Sequence, residues 1–134
     1  EALARTLPRK VTLINEAGGH ISDLMLEADV VVGSGGMSVY EIAALGTPGV
    51  VLAQNAKEDR RMREFASRGT IEYLGLSTEV DEAVLARTLA DLLADVERRR
   101  AMSVRGRELV DGQGALRAAE LVLNTAHQDG GVTR

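Results

Sequence analysis

Short apolar runs alternate with segments of helical periodicity along the first half of the chain. Four runs have the β-branched, apolar character of strands: KVTLINEA (10–17), DVVVG (29–33), TPGVVLA (47–53) and TIEYLG (70–75). Between them, apolar residues recur every three or four positions, as on one face of a helix, in segments 20–28, 39–46 and 57–69. Residues 1–8 are typical of a helix that ends before Pro8. The alternation predicts an α/β fold with a parallel sheet and helices on both faces.

The second half of the chain is predicted to be helical from Thr78 onward. Its apolar positions form one long stripe that predicts a single helix: Val80, Val84, Leu85, Leu89, Leu92, Leu93 and Val96. Gly112 and Gly114 separate this stripe from a last helix, ALRAAELVLN (115–124). A chain of 134 residues is most often one domain. We therefore expect one domain over residues 1–125 and a flexible tail over 126–134.

Composition and charge exclude several classes of protein. The net charge of −4 argues against a nucleic-acid binder. Without cysteine the chain has no disulfide framework and no thiolate metal site. We also find no secretory signal and no apolar run long enough to span a membrane, and we expect a cytoplasmic protein that needs no metal or other cofactor. Because the first residue is Glu1, we expect a piece of a longer protein.

The glycine-rich segment GSGGMSVYE (33–41) is the main candidate for chemistry. Its glycines let backbone N–H groups approach an anion, and the helix that follows offers unpaired donors and a positive dipole end. It is not a dinucleotide fingerprint, because Ser38 stands where the last glycine would be, and no Gly-Lys-Ser/Thr follows as in a Walker A loop. Ser38 to Glu41 also fits a capping box, S-x-x-E, which needs no ligand. The pattern alone leaves both interpretations open.

Other polar residues are weaker candidates. A nucleophile elbow would need glycine at Val32, so we disfavour a triad of Ser34, His20 and Asp23. Only His20 and His127 could serve as histidine metal ligands, and their spacing matches no zinc motif. Gln54-Asn55 follows a strand, where the two amides would either orient a polar ligand or shape a turn. The basic run Arg98, Arg99, Arg100, Arg105 and Arg107 is most simply a solvated helix end.

The stretch from His20 to Asn55 resembles the C-terminal half of a GT-B-fold nucleotide-sugar enzyme, a Rossmann-like domain. It is most similar to the UDP-sugar hydrolase of pseudaminic acid biosynthesis and the related spore-coat polysaccharide proteins. It is more distantly similar to the N-acetylglucosaminyl transferase of peptidoglycan synthesis, whose loop is one residue longer. The resemblance covers most of residues 11–125. It is most specific at Gly33–Glu41 and at Leu45-Gly46-Thr47-Pro48.

The resemblance implies a set of nucleotide-sugar contacts. Gly35, Gly36, Met37 and Ser38 would meet the diphosphate. Glu41 would accept hydrogen bonds from the ribose, and His20 and Ile21 would lie beside the base. Gln54 and Asn55 match the sugar side only loosely, since the family often has the order Asn-Gln. No residue of this chain is assigned a catalytic role, because the family's base belongs to an N-terminal domain.

The function that we predict is therefore a UDP-sugar-binding C-terminal domain of a hydrolase of surface polysaccharide or nonulosonic acid biosynthesis, with a CMP-linked sugar as the alternative ligand. We expect it to be inactive without the N-terminal domain, which would be its partner in the same protein. The alternatives are the donor-binding half of a glycosyltransferase and a non-catalytic binding module. The resemblance implies that the chain lacks the first strand of the domain, so we also expect an exposed sheet edge and self-association.

Overall fold

A computed structural model describes Thr12, Ile14 and residues 18–129 of the chain, with side chains as far as residue 125. A 3-10 turn, Gly18–His20, precedes the regular elements. These elements are α1 (Ile21–Glu27), β1 (Val31–Ser34), α2 (Ser38–Leu45), β2 (Gly49–Ala53), α3 (Ala56–Ser67), β3 (Glu72–Leu76), α4 (Glu82–Ala94), α5 (Val96–Leu109) and α6 (Gly114–Asp129).

The three strands form one parallel sheet in the order β1-β2-β3. Val32 pairs with Val50, and Val50 pairs with Glu72. The ladder between β2 and β3 has an irregularity at Val51/Leu52. The predicted α/β, Rossmann-like class is confirmed. The predicted strand 10–17 and helix 1–8 lie outside the described residues, apart from Thr12 and Ile14, which are in no regular element.

Adjacent residues of β2 point to opposite faces of the sheet and belong to two cores. Val51 packs with α2 and α3 in a cluster that includes Val39, Met62 and Phe65. Val50 packs on the other face with Leu92 of α4 and Met102 of α5. Because both faces of β2 are covered, its run GVVLA is almost entirely buried. The helices on both faces that the alternation predicted are therefore present.

The segment Leu45–Pro48 joins α2 to β2 through a helix stop that requires glycine. Gly46 adopts a left-handed conformation, with φ 71°, and its N–H donates to the carbonyl of Ala43 at 3.0 Å. The hydroxyl of the buried Thr47 donates to the carbonyl of Met25, at 2.9 Å, and so ties α1 to the same turn. This turn positions α1 and α2 together on the edge strand β1.

The apolar stripe after Thr78 forms two helices rather than one. The helix breaks at Asp95, whose carboxylate accepts a hydrogen bond from the Arg98 N–H at 2.9 Å and caps α5. The stripe is also only partly a core: Leu92 is fully buried, whereas Leu93 is 50% exposed. The last helix is longer than predicted and continues to Asp129.

Strand β1 is less buried than its continuous apolar run predicted. Within the described residues it pairs with β2 alone, so it forms an edge of the sheet. Val32 lies on the face of Val50 and is 47% exposed. The helices on that face pack over β2 and β3, since Val50 and Leu74 share their cluster with Leu85 and Leu89. A run of valines indicates an apolar strand, but it does not show whether other elements cover one face of that strand or both.

Candidate functional site

The glycine-rich segment forms a tight connection between β1 and α2 at the carboxyl end of the sheet. The N–H of Gly35 donates to the carbonyl of Leu52 at 2.9 Å, which continues the ladder to β2. An ideal Cβ on Gly35 would lie 2.7 Å from Cγ of Met62 in α3. Gly35 is therefore needed for packing, and its N–H is already used inside the protein.

The start of α2 has no side-chain cap. Its N-cap residue is Met37, which already has helical backbone angles (φ −69°, ψ −26°) and makes no capping hydrogen bond. Ser38 is thus the first helical residue, not the cap that an S-x-x-E box requires in extended conformation. Glu41 is exposed and makes no side-chain hydrogen bond to any residue that the structure describes. The capping-box interpretation of Ser38 to Glu41 is wrong.

The open helix start leaves backbone donors at the carboxyl edge. Among the described residues, the N–H groups of Gly36, Met37 and Ser38 find no acceptor, whereas Tyr40 N–H bonds the Met37 carbonyl at 3.0 Å. These N–H groups and the helix dipole make the N-terminal start of α2 electropositive. Gly36 also has open space, because an ideal Cβ there would have Ser34 Oγ as its nearest neighbour, at 3.7 Å. An anion can therefore approach this backbone closely.

A side-chain helix cap forms one strand further along, where the sequence offered a ligand interpretation. Asn55 is the N-cap of α3, and its Oδ1 accepts from the N–H groups of Lys57 and Glu58 at 3.1 and 3.0 Å. The carboxylate of Glu58 reaches back to the N–H of Gln54 at 2.8 Å. The oxygen of Asn55 is occupied by the cap, so only its NH₂ group remains for a ligand.

His20 and Ile21 lie at the start of α1 and are exposed. Helix α1 leads into β1, so in an α/β unit its first residues lie at the same edge as the end of β1. His20 contacts Asp23 at 3.4 Å, and Ser34 has no bond to either residue in the described part of the chain. A Ser34–His20–Asp23 triad is therefore not assembled.

The C-terminal ends of β1 and β2 and the start of α1 thus lie at the same edge of the sheet, as the parallel topology requires. Two residues there escaped the sequence analysis, Glu58 and Ser77. Ser77 follows β3 just as Gln54 follows β2, which is the signal that would have found it. In the part of the chain that the structure describes, no three acidic or histidine side chains are gathered as metal ligands would be.

Known proteins of two kinds are similar in sequence to this chain. No family model matches the chain. It is 28% identical over 130 residues, 96% of its length, to the spore coat polysaccharide biosynthesis protein SpsG of Bacillus subtilis. It is 34% identical over 109 residues, 78% of its length, to the UDP-N-acetylglucosamine–N-acetylmuramyl-(pentapeptide) pyrophosphoryl-undecaprenol N-acetylglucosamine transferase of Rubrobacter xylanophilus. The Mannheimia succiniciproducens transferase of the same name is 28% identical over 135 residues, 88% of this chain.

The chain spans between 32% and 38% of the length of these curated relatives. None of the helices in the described part is both long and apolar enough to cross a membrane. Both kinds of relative are GT-B glycosyltransferase-like proteins. The chain is accordingly a homologue of this group of nucleotide-sugar enzymes, as the resemblance in its sequence indicated.

Proposed function

We propose that this chain is the UDP-sugar-binding C-terminal domain of a UDP-sugar hydrolase of surface polysaccharide or nonulosonic acid biosynthesis. The observation that carries the proposal is the uncapped start of α2. Its N–H groups at Gly36, Met37 and Ser38 have no acceptor among the described residues, and the capping box that would have explained the motif does not form. A diphosphate satisfies such a cluster of donors.

The chemistry that this arrangement supports is stabilisation of a leaving nucleotide. When the bond between the anomeric carbon and the phosphate oxygen breaks, negative charge grows on the diphosphate. Fixed N–H dipoles at the start of α2 stabilise that charge without reorganising. Glu41, one turn into α2, is exposed and free to accept from two ribose hydroxyls.

A glycosyltransferase donor half is the second candidate. The Rubrobacter relative, which has the higher identity at 34%, is by its name a transferase that uses UDP-N-acetylglucosamine. We favour the hydrolase because the glycine-rich loop resembles that of the hydrolase family without a gap, whereas the loop of the transferase is one residue longer. Release of free sugar from a UDP-sugar by the full-length protein, with its N-terminal domain, supports the hydrolase. Turnover only with an added sugar acceptor supports the transferase.

The ligand itself is tested by thermal shift with UDP, UMP, CMP and GDP. We expect UDP to raise the melting temperature more than UMP, because the second phosphate meets the open N–H groups. Equal shifts for UMP and UDP contradict diphosphate binding at this turn. A larger shift with CMP identifies a CMP-linked sugar instead.

Glu41→Gln tests the ribose contact. Because Glu41 has no partner in the described residues, we expect the free energy of unfolding of the variant to differ from that of the parent by less than about 0.5 kcal/mol. UDP affinity should fall several-fold, since the amide keeps only one acceptor oxygen and loses the charge. Glu27→Gln is the matched control, because Glu27 is the last residue of α1 and lies at the end away from the candidate site. It should bind UDP like the parent. Unchanged UDP binding by Glu41→Gln contradicts the assignment.

A further inference from the structure

Gln54 is held at two points where β2 ends. Its N–H donates to the Glu58 carboxylate at 2.8 Å, and its side-chain Oε1 accepts from the Ser77 hydroxyl at 3.3 Å. Ser77 is itself fixed, because its N–H donates to the carbonyl of Ala53 at 2.8 Å. An exposed glutamine is usually free to rotate, but here the bond from Ser77 to Oε1 turns the NH₂ end of the amide away from Ser77.

The attachment leaves a hydrogen-bond donor at the candidate site. With Oε1 turned to Ser77, the NH₂ group of Gln54 is the free end of the amide, and it has no partner among the described residues. Gln54 follows Leu52 by two residues, about 7 Å along an extended strand. The carbonyl of Leu52 is the one that accepts from Gly35. Gln54 and the turn that carries the open N–H groups therefore lie at the same carboxyl edge of the sheet.

We propose that Ser77 is a positioning residue that orients Gln54 to donate to an oxygen of the glycosyl group of a nucleotide-sugar. This inference rests on the proposed function and adds the residue that selects the sugar side. A neutral NH₂ group suits a hydroxyl or carbonyl oxygen, and the diphosphate is already served by the start of α2. The NH₂ group of Asn55 is also free of partners among the described residues, but the start of α3 orients that amide, and Ser77 orients only Gln54.

Binding of UDP and of UDP-N-acetylglucosamine by isothermal calorimetry tests the proposal. In Ser77→Ala we expect the affinity for the sugar nucleotide to fall three- to tenfold and that for UDP to stay within twofold. Ser77→Thr keeps the hydroxyl and should restore sugar-nucleotide binding. Ser67→Ala, on the exposed surface of α3, is the control and should change neither affinity.

A double-mutant cycle shows whether Ser77 acts through Gln54. We expect Gln54→Ala and the double variant Gln54→Ala/Ser77→Ala to bind UDP-N-acetylglucosamine equally. The inference is overturned if the two losses add, if Ser77→Ala binds like the parent, or if it weakens UDP as much as the sugar nucleotide. Failure of the parent to bind UDP at all overturns the proposed function instead, so the two failures are distinguishable.

Discussion

Two neighbouring glycines, Gly35 and Gly36, have different reasons to be glycine. At Gly35 a Cβ would lie 2.7 Å from Met62, which is fully buried in the core between α2 and α3. At Gly36 a Cβ would meet nothing closer than 3.7 Å. One glycine therefore serves packing, and the other leaves space in front of free N–H groups.

Alanine substitutions separate these two roles. Gly35→Ala should cost about 1–3 kcal/mol in the free energy of unfolding, because Met62 has to move in a packed core. Gly36→Ala should fold at least as well as the parent, yet bind UDP several-fold more weakly, since a methyl group crowds the anion. Urea unfolding and a UDP titration of each variant measure both effects. Parent-like UDP affinity in Gly36→Ala would argue against close approach of a ligand there.

A second network, between the first turn of α3 and strand β3, predicts a pH dependence. The Tyr73 hydroxyl donates to Asp59 at 2.6 Å, and Arg63 donates to the other carboxylate oxygen at 3.1 Å. The bond from Tyr73, and then that from Arg63, lower the pKa of Asp59. Burial, and then the Asp59 bond, raise the pKa of Tyr73 to about 12.

The signs of the two shifts give two pH windows. The stability from Asp59 is present above its unfolded pKa, near 3.8, and is lost as pH falls through the lowered value. The stability from Tyr73 is present below about 10 and is lost as pH rises toward about 12. Tyr73→Phe should raise the pKa of Asp59, observed by NMR, and remove the alkaline loss of stability. Tyr40→Phe is the control, and a parent-like alkaline profile in Tyr73→Phe would contradict the assignment.

Among the helices, three arginines of α5, Arg99, Arg105 and Arg107, contact the ends of other helices. Arg98, Arg99 and Arg100 lie near the N-terminal end of α5, not at the C-terminal end that a helix dipole favours for cations. Arg99 instead donates to the carbonyls of Leu92 and Leu93, the last turn of α4. Arg107 and Arg105 lie against Gly46 and Gly69, just beyond α2 and α3. These arginines thus place positive charge at the C-terminal ends of neighbouring helices, where the helix dipole favours it.

The break between α4 and α5 depends on Asp95. Asp95→Ala removes the acceptor for the Arg98 N–H and should lower the free energy of unfolding by about 1 kcal/mol. Asp95→Asn keeps an acceptor oxygen and should lose less. Asp91→Ala, on the exposed surface of α4, is the control for loss of one negative charge. Chemical denaturation measures all three, and equal losses in Asp95→Ala and Asp91→Ala would show that the charge, not the cap, matters.

At the scale of the whole molecule, β1 is an edge strand in the described part of the sheet, with Val32 47% exposed at its centre. Exposed strand edges recruit other chains. We expect concentration-dependent association in sedimentation velocity, which Val32→Lys should suppress. Val104→Lys, at an exposed position of α5, is the control. A monomer at all concentrations, or equal suppression by both variants, would contradict association through this edge.

Local patterns in the sequence are enough to predict the kind and order of elements between His20 and Leu76. Hydrophobic periodicity and the glycine that ends a helix act within a few residues, so β1, α2, β2, α3 and β3 follow from local pattern. The same locality explains why the glycine-rich turn was found as the candidate site. Its place after a strand and before a helix is a local property.

Which residues are available to a ligand depends on contacts between segments that are distant in the sequence. The N–H of Gly35 is not available to a ligand because it bonds the carbonyl of Leu52. A side chain at Gly35 would collide with Met62, and both Leu52 and Met62 are distant in sequence. The S-x-x-E pattern at Ser38 forms no cap, while Asn55 and Glu58 make one, because backbone angles at a helix start are set by the packing of the strand that precedes it. Ser77 meets Gln54 only through the pairing of β2 and β3. Such contacts join residues that are far apart in the sequence, so a pattern that spans a few residues does not reveal them.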